Sequence, residues 1–240
     1  MFCLPVPKDK FQTKTPWVIS AIVIIDALLL IPLYTSDKAT FFSHYAFTPA
    51  HATALTLFTA LFLHVGLLHY VGNMWFLWIF GRKVECTLGT LRFTTLYLLC
   101  GVGGQLLYLL LNLHSGVPLV GASGAISGVA GFYFFVFPHD RFNLHLYFGW
   151  SRIKTIDATT RSAVGAWIGE QFVLALITQL APFSRVAFWA HVGGFAVGAA
   201  TGAVYHHRVP ETARPSIPLI AFEGEDIGEQ PSGLTTLKLN

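Results

Sequence analysis

Residues 121–137 read GASGAISGVAGFYFFVF. No charge interrupts the run, and its small residues Gly124 and Gly128 stand four apart, on one face of a helix. The composition around it is of the same kind. Charged residues are 11% of the 240, against about 25% in a typical soluble protein, while 54% are hydrophobic and 15% aromatic. These proportions exclude an ordinary soluble enzyme. They also exclude a disordered chain, which is poor in apolar residues and rich in charge. The solvent that suits this chain is the lipid bilayer.

Crossing a hydrocarbon core about 30 Å thick takes roughly 20 apolar residues in a helix. Outward from Ser123–Phe137, five more stretches approach that length: Trp17–Tyr34, Val65–Gly81, Phe93–Leu113, Ala163–Leu180 and Phe188–Tyr205. The expectation is an all-α integral membrane protein of six transmembrane helices. The first stretch follows Lys8, Lys10 and Lys14, but it is too long for a signal-peptide core and no small-residue cleavage site follows, so it is read as a retained span. Ala54–Leu63 is too short to cross and is expected as a loop in or near the interface. Six spans with both termini cytoplasmic leave all but two of the 15 Lys and Arg residues inside; Lys38 and Arg185 alone fall outside. That segregation is the one that membrane insertion favours. Three segments are expected: a short cytoplasmic N-terminus over 1–16, a membrane domain over 17–206 and a flexible cytoplasmic tail over 207–240. The longest inside loop, Pro138–Ser162, mixes Phe142, Tyr147, Phe148 and Trp150 with Arg152 and Lys154, as an interfacial segment against anionic lipid does.

Other partners are excluded on composition. The net charge of +3 comes from scattered cations with no basic block, so no nucleic-acid partner is expected. Cys3, Cys86 and Cys100 are odd in number and lack metal-ligand spacing, so neither a disulfide framework nor a zinc site is expected. No internal repeat of the transporter kind is present.

Polar residues inside spans are costly and are candidates for function. His69 and Asn73 are four apart in the second stretch, Ser123 opens the fourth, and Ala190-His191-Val192-Gly193-Gly194 opens the sixth. Counted at about 1.5 Å per residue from each cytoplasmic end, His69, Ser123 and His191 share one layer about 20 to 22 Å up, with Asn73 one turn deeper. Gly124 and Gly128 on one span, and Gly194, Gly198 and Gly202 on another, form stripes that let two backbones approach closely in lipid. That approach brings Ser123 and His191 within reach of each other. A serine with a histidine base needs donors for an oxyanion, and His69, the Asn73 amide and the Ser123 N–H at a helix start are of the right type. By residue type alone, such a site and a structural polar cluster fit equally well.

At these residues the sequence resembles the rhomboid family of intramembrane serine proteases. The family's pattern of two histidines followed by asparagine is met by His64, His69 and Asn73, its GxSG motif by Gly121–Gly124, its AHxxG motif by Ala190–Gly194, and its ExxxG motif by Glu85 and Gly89. The resemblance runs over roughly 17–206. It implies Ser123 as nucleophile and His191 as general base, a dyad with no acidic third member. It assigns His69 and Asn73 to the oxyanion, with the backbone at Ala122 and Ser123, and gives Gly121, Gly124 and Gly194 the packing at the site. His64 is then a loop-organising residue. Two positions depart from the pattern. Leu55 and Thr56 stand where some members carry Trp-Arg, and Ser127 stands where some carry a tyrosine that supports the histidine ring.

The function implied is that of an endopeptidase cleaving single-span membrane proteins near the outer face of a bacterial-type inner membrane, without metal or cofactor. The alternative is an inactive rhomboid-like protein that binds membrane helices. Asp26 and Glu170 are expected to hydrogen-bond within the bundle, and Trp167 and Gln171 lie on the span that the resemblance links to substrate entry. The outer ends of the even-numbered spans are expected to surround a polar cavity closed toward the cytoplasm by apolar packing.

Overall fold

The computed structural model describes residues 2–8, 15–35, 37–181 and 186–209. Lys10, Lys14, Arg185, Arg214, Lys238 and the tail from residue 210 onward lie outside the described residues. Ten α-helices are present among the described residues: α1 (Trp17–Leu28), α2 (Pro32–Thr35), α3 (Lys38–Tyr45), α4 (Ala54–Thr59), α5 (Leu67–Phe76), α6 (Arg82–Leu88), α7 (Thr90–Leu111), α8 (Ser123–Val136), α9 (Thr160–Leu180) and α10 (Phe188–Arg208). A π-helical turn over Leu77–Gly81 joins α5 to α6, so the helix of the second apolar stretch continues past Arg82 and Lys83 to Leu88. It stops where Gly89 takes a φ of +76°, a conformation that favours glycine.

A helix therefore stands at each of the six expected stretches. By length and composition, three are long and apolar enough to cross a membrane: Trp17–Thr35, Thr90–Leu111 and Thr160–Leu180. Helices over Ala54–Phe62 and Leu67–Leu88 pass the same test only together, and they are bent by 87° where they meet. Residues 54–63 are thus largely helical, as α4 and a 3₁₀ turn at Ala60–Phe62, where a loop was expected. The capping box between Thr53 and Thr56 starts that short helix. Leu68, Leu91, Leu180 and Ile24 are among many large apolar side chains left on the surface. In water such a surface is a liability, whereas hydrocarbon solvates it. The chain is an integral membrane protein.

It is mostly helical but not all-α, which corrects the sequence expectation. Strands β1 (Phe2–Pro7), β2 (Arg141–Phe148) and β3 (Ser151–Thr159) form an antiparallel sheet in the order β1-β2-β3. The expected interfacial loop is a β-hairpin that turns at Gly149 with φ +59°. The N-terminal segment completes the sheet. Asp157 clamps it by accepting from Lys8 Nζ at 2.8 Å and Arg141 Nε at 3.0 Å. Those two cations hold its carboxyl down to about 2. The turn signal was present in Gly149, but the strand signal was masked by aromatic and basic residues that suit an interfacial helix equally well.

The central helix is α8, buried from Gly124 through Tyr133. It packs principally on α10 and then on α7, and α10 and α7 also pack on each other. At its C-terminal end, Asp140 joins Lys83 and the Tyr133 hydroxyl, tying the loop after α8 to α6. At the other edge, α1 has no side-chain cap of its own. The Glu85 carboxylate accepts from the Val18 and Ile19 N–H groups at 2.9 and 3.2 Å, supplying acceptor and negative charge at the helix start. Glu85→Ala leaves two N–H donors unpaired and is expected to cost about 1–3 kcal/mol. Thermal unfolding in detergent measures it, and Glu85→Gln should recover part of the loss.

Candidate functional site

The loop before α8 sets the position of its first residue. Phe47 and Leu119 exchange backbone hydrogen bonds at 3.0 and 2.7 Å, and Gly121 N–H donates to the Ala60 carbonyl at 2.9 Å. Pinned at these points, the chain turns into α8 at Ser123. The N–H groups of a first helical turn have no partner within the helix. Gly121 has φ +129°, and a Cβ there would lie 2.9 Å from Cε1 and 3.1 Å from Nε2 of His69. Both the backbone angle and the space therefore require glycine.

Close packing of α8 on α10 brings the second group in. A Cβ on Gly194 or Gly198 would run into the carbonyl oxygens of Gly124 and Gly128, and one on Gly202 would lie 2.9 Å from Phe132 Cα. The two glycine stripes are thus in contact. Ser123 Oγ and His191 Nε2 stand 2.8 Å apart. His191 Nδ1 lies 2.7 Å from Gln171 Oε1 on α9. An amide oxygen only accepts, so Nδ1 carries the proton and Nε2 is left to accept from the Ser123 hydroxyl. Trp167, four residues before Gln171, stacks on the imidazole at 6.3 Å and 30°, and Phe188 meets it edge-on.

Gln171 is the residue whose role sequence reasoning missed. The support that some members draw from a tyrosine at the position of Ser127 comes here from the neighbouring helix. The available signal was an amide one helical turn from Trp167 on an apolar span. Only packing shows that it meets Nδ1. Glu170 beside it is exposed, and Asp26 is fully buried with neither oxygen hydrogen-bonded, so neither bonds within the bundle as expected.

His69 and Asn73 lie on the same face of α5. The His69 ring abuts Gly121, and Asn73 is buried with its Nδ2 donor unpartnered and near Gly121 as well. Ser123, His191, His69 and Asn73 line one cleft of about 1420 Å³. Its walls are α5 on one side and α9 on the other. The cleft is not confined to the level of these four residues; it runs down to the sheet, where Pro5, Phe142 and Leu144 close it with apolar side chains. The arrangement offers a hydroxyl with a base, and unspent amide and imidazole nitrogens facing the same space.

The fold and site define a helical membrane protein with a serine–histidine pair inside its bundle. Residues 51–208 match the Rhomboid domain family, and the chain belongs to that family. Similar proteins include RHOMBOID-like protein 1 of Arabidopsis thaliana, 28% identical over 230 residues that cover 81% of this chain and 54% of that protein. RHOMBOID-like protein 6, mitochondrial, of the same plant is 31% identical over 146 residues, 61% of this chain and 42% of that protein. Rhomboid protease GluP of Bacillus subtilis (strain 168) is 39% identical over 75 residues, 31% of this chain and 14% of that protein. The chain spans about half the length of the curated relatives it matches. These relatives are plant, mitochondrial and bacterial, and do not single out the bacterial inner membrane expected from the sequence.

Gly194→Leu is expected to force α10 from α8 and break the Ser123–His191 bond although no polar group changes. Overpacking a tight contact costs about 1–3 kcal/mol. Spin-label distances between the two helices should lengthen and thermal unfolding should move down.

Proposed function

We propose that the chain is an intramembrane serine endopeptidase that cleaves transmembrane segments of single-span membrane proteins. The observation that carries the reading is the hydrogen-bonded series Gln171–His191–Ser123, which leaves Nε2 ready to take the hydroxyl proton. An inactive helix-binding relative has no need of that series.

In this reading Ser123 Oγ attacks the scissile carbonyl carbon as its proton passes to His191 Nε2. The carbonyl oxygen becomes an oxyanion held by His69, the Asn73 amide and the backbone N–H of Ser123. Breakdown of the tetrahedral adduct breaks the C–N bond, and His191 returns the proton to the leaving nitrogen. Water then attacks the acyl-enzyme by the same route, with His191 again as base. The chain's own groups suffice, so the scheme uses no metal and no cofactor. Gln171 is a positioning residue, keeping His191 in the productive tautomer, much as a buried acid does in a triad.

The topology that goes with this reading has six spans over residues 17–206, short and tail segments over 1–16 and 207–240, and both termini on the cytoplasmic, positively charged side. The short helix α8 is then surrounded by other helices at the membrane's middle, and Ser123 at its outer end lies about 8 to 10 Å below the outer surface. A substrate helix reaches it from the bilayer through the cleft between α5 and α9, with its cleaved bond exposed to water entering from outside.

Incubation of the purified protein in detergent with a fluorogenic transmembrane substrate tests the proposal. Ser123→Ala and His191→Ala are each expected to abolish cleavage, because nucleophile and base act as one unit. Asn73→Ala should lower turnover by about 10² to 10³, the usual effect of losing an oxyanion donor. Undiminished cleavage by Ser123→Ala would falsify the reading. A separate expectation concerns Gln171→Leu, which removes the acceptor from Nδ1. It should lower kcat about tenfold or more with KM little changed, and ¹⁵N spectra of His191 should show a mixture of tautomers.

A further inference from the structure

Behind the oxyanion side of the cleft lies a second buried polar group series that the proposed mechanism does not use. Asp26 on α1 is 0% exposed, and neither carboxylate oxygen has a hydrogen-bond partner. Its Oδ2 stands 3.9 Å from Nδ1 of His64, which is itself 1% exposed, lies near the Phe62 backbone and, among the described residues, has no hydrogen bond of good geometry from either ring nitrogen. The His64 ring packs edge-on to His69, with centroids 5.0 Å apart at 67°. His69 in turn has its Nδ1 buried and unpartnered on this inner side, while its Nε2 edge abuts Gly121 and the cleft. The other titratable groups facing Asp26 are two tyrosines. Tyr97 on α7 has an unpartnered hydroxyl, and Tyr70 on α5 donates to the Val23 carbonyl at 3.1 Å and stands edge-on to His64 at 5.7 Å.

A structural role for a buried carboxyl is to knit elements together through hydrogen bonds. Asp26 makes none among the described residues, and an apolar side chain in its place would pack at lower cost. Buried polar groups that do not stabilise are kept where they serve a site. The geometry points to such a service. We infer that Asp26 is a positioning residue for the oxyanion side of the site, acting through His64 on His69. A carboxyl group facing Nδ1 at 3.9 Å favours the His64 proton on that nitrogen and orients the ring. His69 packs against that ring, so the direction of its Nε2 toward Gly121 is set at one remove by the carboxyl group on the first helix. The two histidines of the cleft are thus held by different groups: His191 by an amide on α9, His69 by an acid on α1.

The inference rests on the protease reading, and the experiment separates the two. Asp26→Asn keeps size and replaces the carboxyl by an amide. Its kcat with the transmembrane substrate is expected to fall about 10-fold, within the range for losing an orienting partner, with KM unchanged. Its Tm in detergent should be unchanged or raised, because the buried carboxyl has no hydrogen bond to lose. Labelling of Ser123 by a fluorophosphonate should persist, and the ¹⁵N signals of His69 should change from one tautomer to a mixture. Asp26→Glu, which restores the carboxyl, should recover part of the lost kcat. Wild-type kcat in Asp26→Asn overturns the inference and leaves the protease reading standing. So does a fall in Tm with unchanged His69 signals, the mark of a purely structural role. A wild-type protein that neither labels nor cleaves removes the protease reading, and this inference with it.

Discussion

The contact between the glycine stripes of α8 and α10 is the constraint on which the rest of the molecule depends. In hydrocarbon, no hydrophobic force presses helices together, and close van der Waals packing must do that work. Gly194 and Gly198 sit against the carbonyls of Gly124 and Gly128, where no side chain fits. That distance decides whether Ser123 and His191, 68 positions apart in the chain, meet at 2.8 Å or miss. The packing of α7 against the same pair, with Gly104 against the Ala190 carbonyl and Cys100 against Gly128, locks the geometry from the third side. Reach between the two side chains follows from backbone contact, and backbone contact follows from the absence of Cβ atoms.

Around this rigid centre, the elements that complete the site are held less firmly. Among the residues of α9, only Thr160, Val164, Gln171 and Ala175 are buried, yet Gln171 holds the second nitrogen of His191. Any displacement of α9 and loss of that hydrogen bond are therefore one event. The opposite wall, α5, is tied to α1 by the Tyr70 hydroxyl, while Glu85 further along the same continuous helix caps α1. The cleft thus has one wall bonded into the bundle and one that is mostly exposed. The sheet lines the end of the cleft away from Ser123 and is continuous with α9 through β3, whose last residue, Thr159, caps that helix.

The departures from sequence expectation have physical causes. Short apolar runs with aromatic residues are ambiguous between helix and strand until a partner strand is known. Within 141–159, β2 and β3 pair with each other across the turn at Gly149, and the third strand, β1, comes from the far end of the chain, where no local pattern announces it. Residues 54–63 are too short to cross alone, and they became helical through a local capping box rather than through length.

Much was determined by sequence alone. Helix positions follow from the length of uncharged apolar runs, since each backbone must satisfy its own hydrogen bonds in lipid. The stripe of glycines, the start of a helix at Ser123 and the presence of Ser123, His191, His69 and Asn73 on those helices are equally local facts. Tertiary structure decided what lies beside them. Gln171 in place of a support from position 127, Asp26 facing His64 rather than bonding within the bundle, and Glu85 capping a helix 66 residues earlier are all contacts between side chains on different elements. Helical periodicity gives the face on which a residue sits, but its partner is chosen by how neighbouring helices are rotated and spaced, and that is a property of the whole packed bundle.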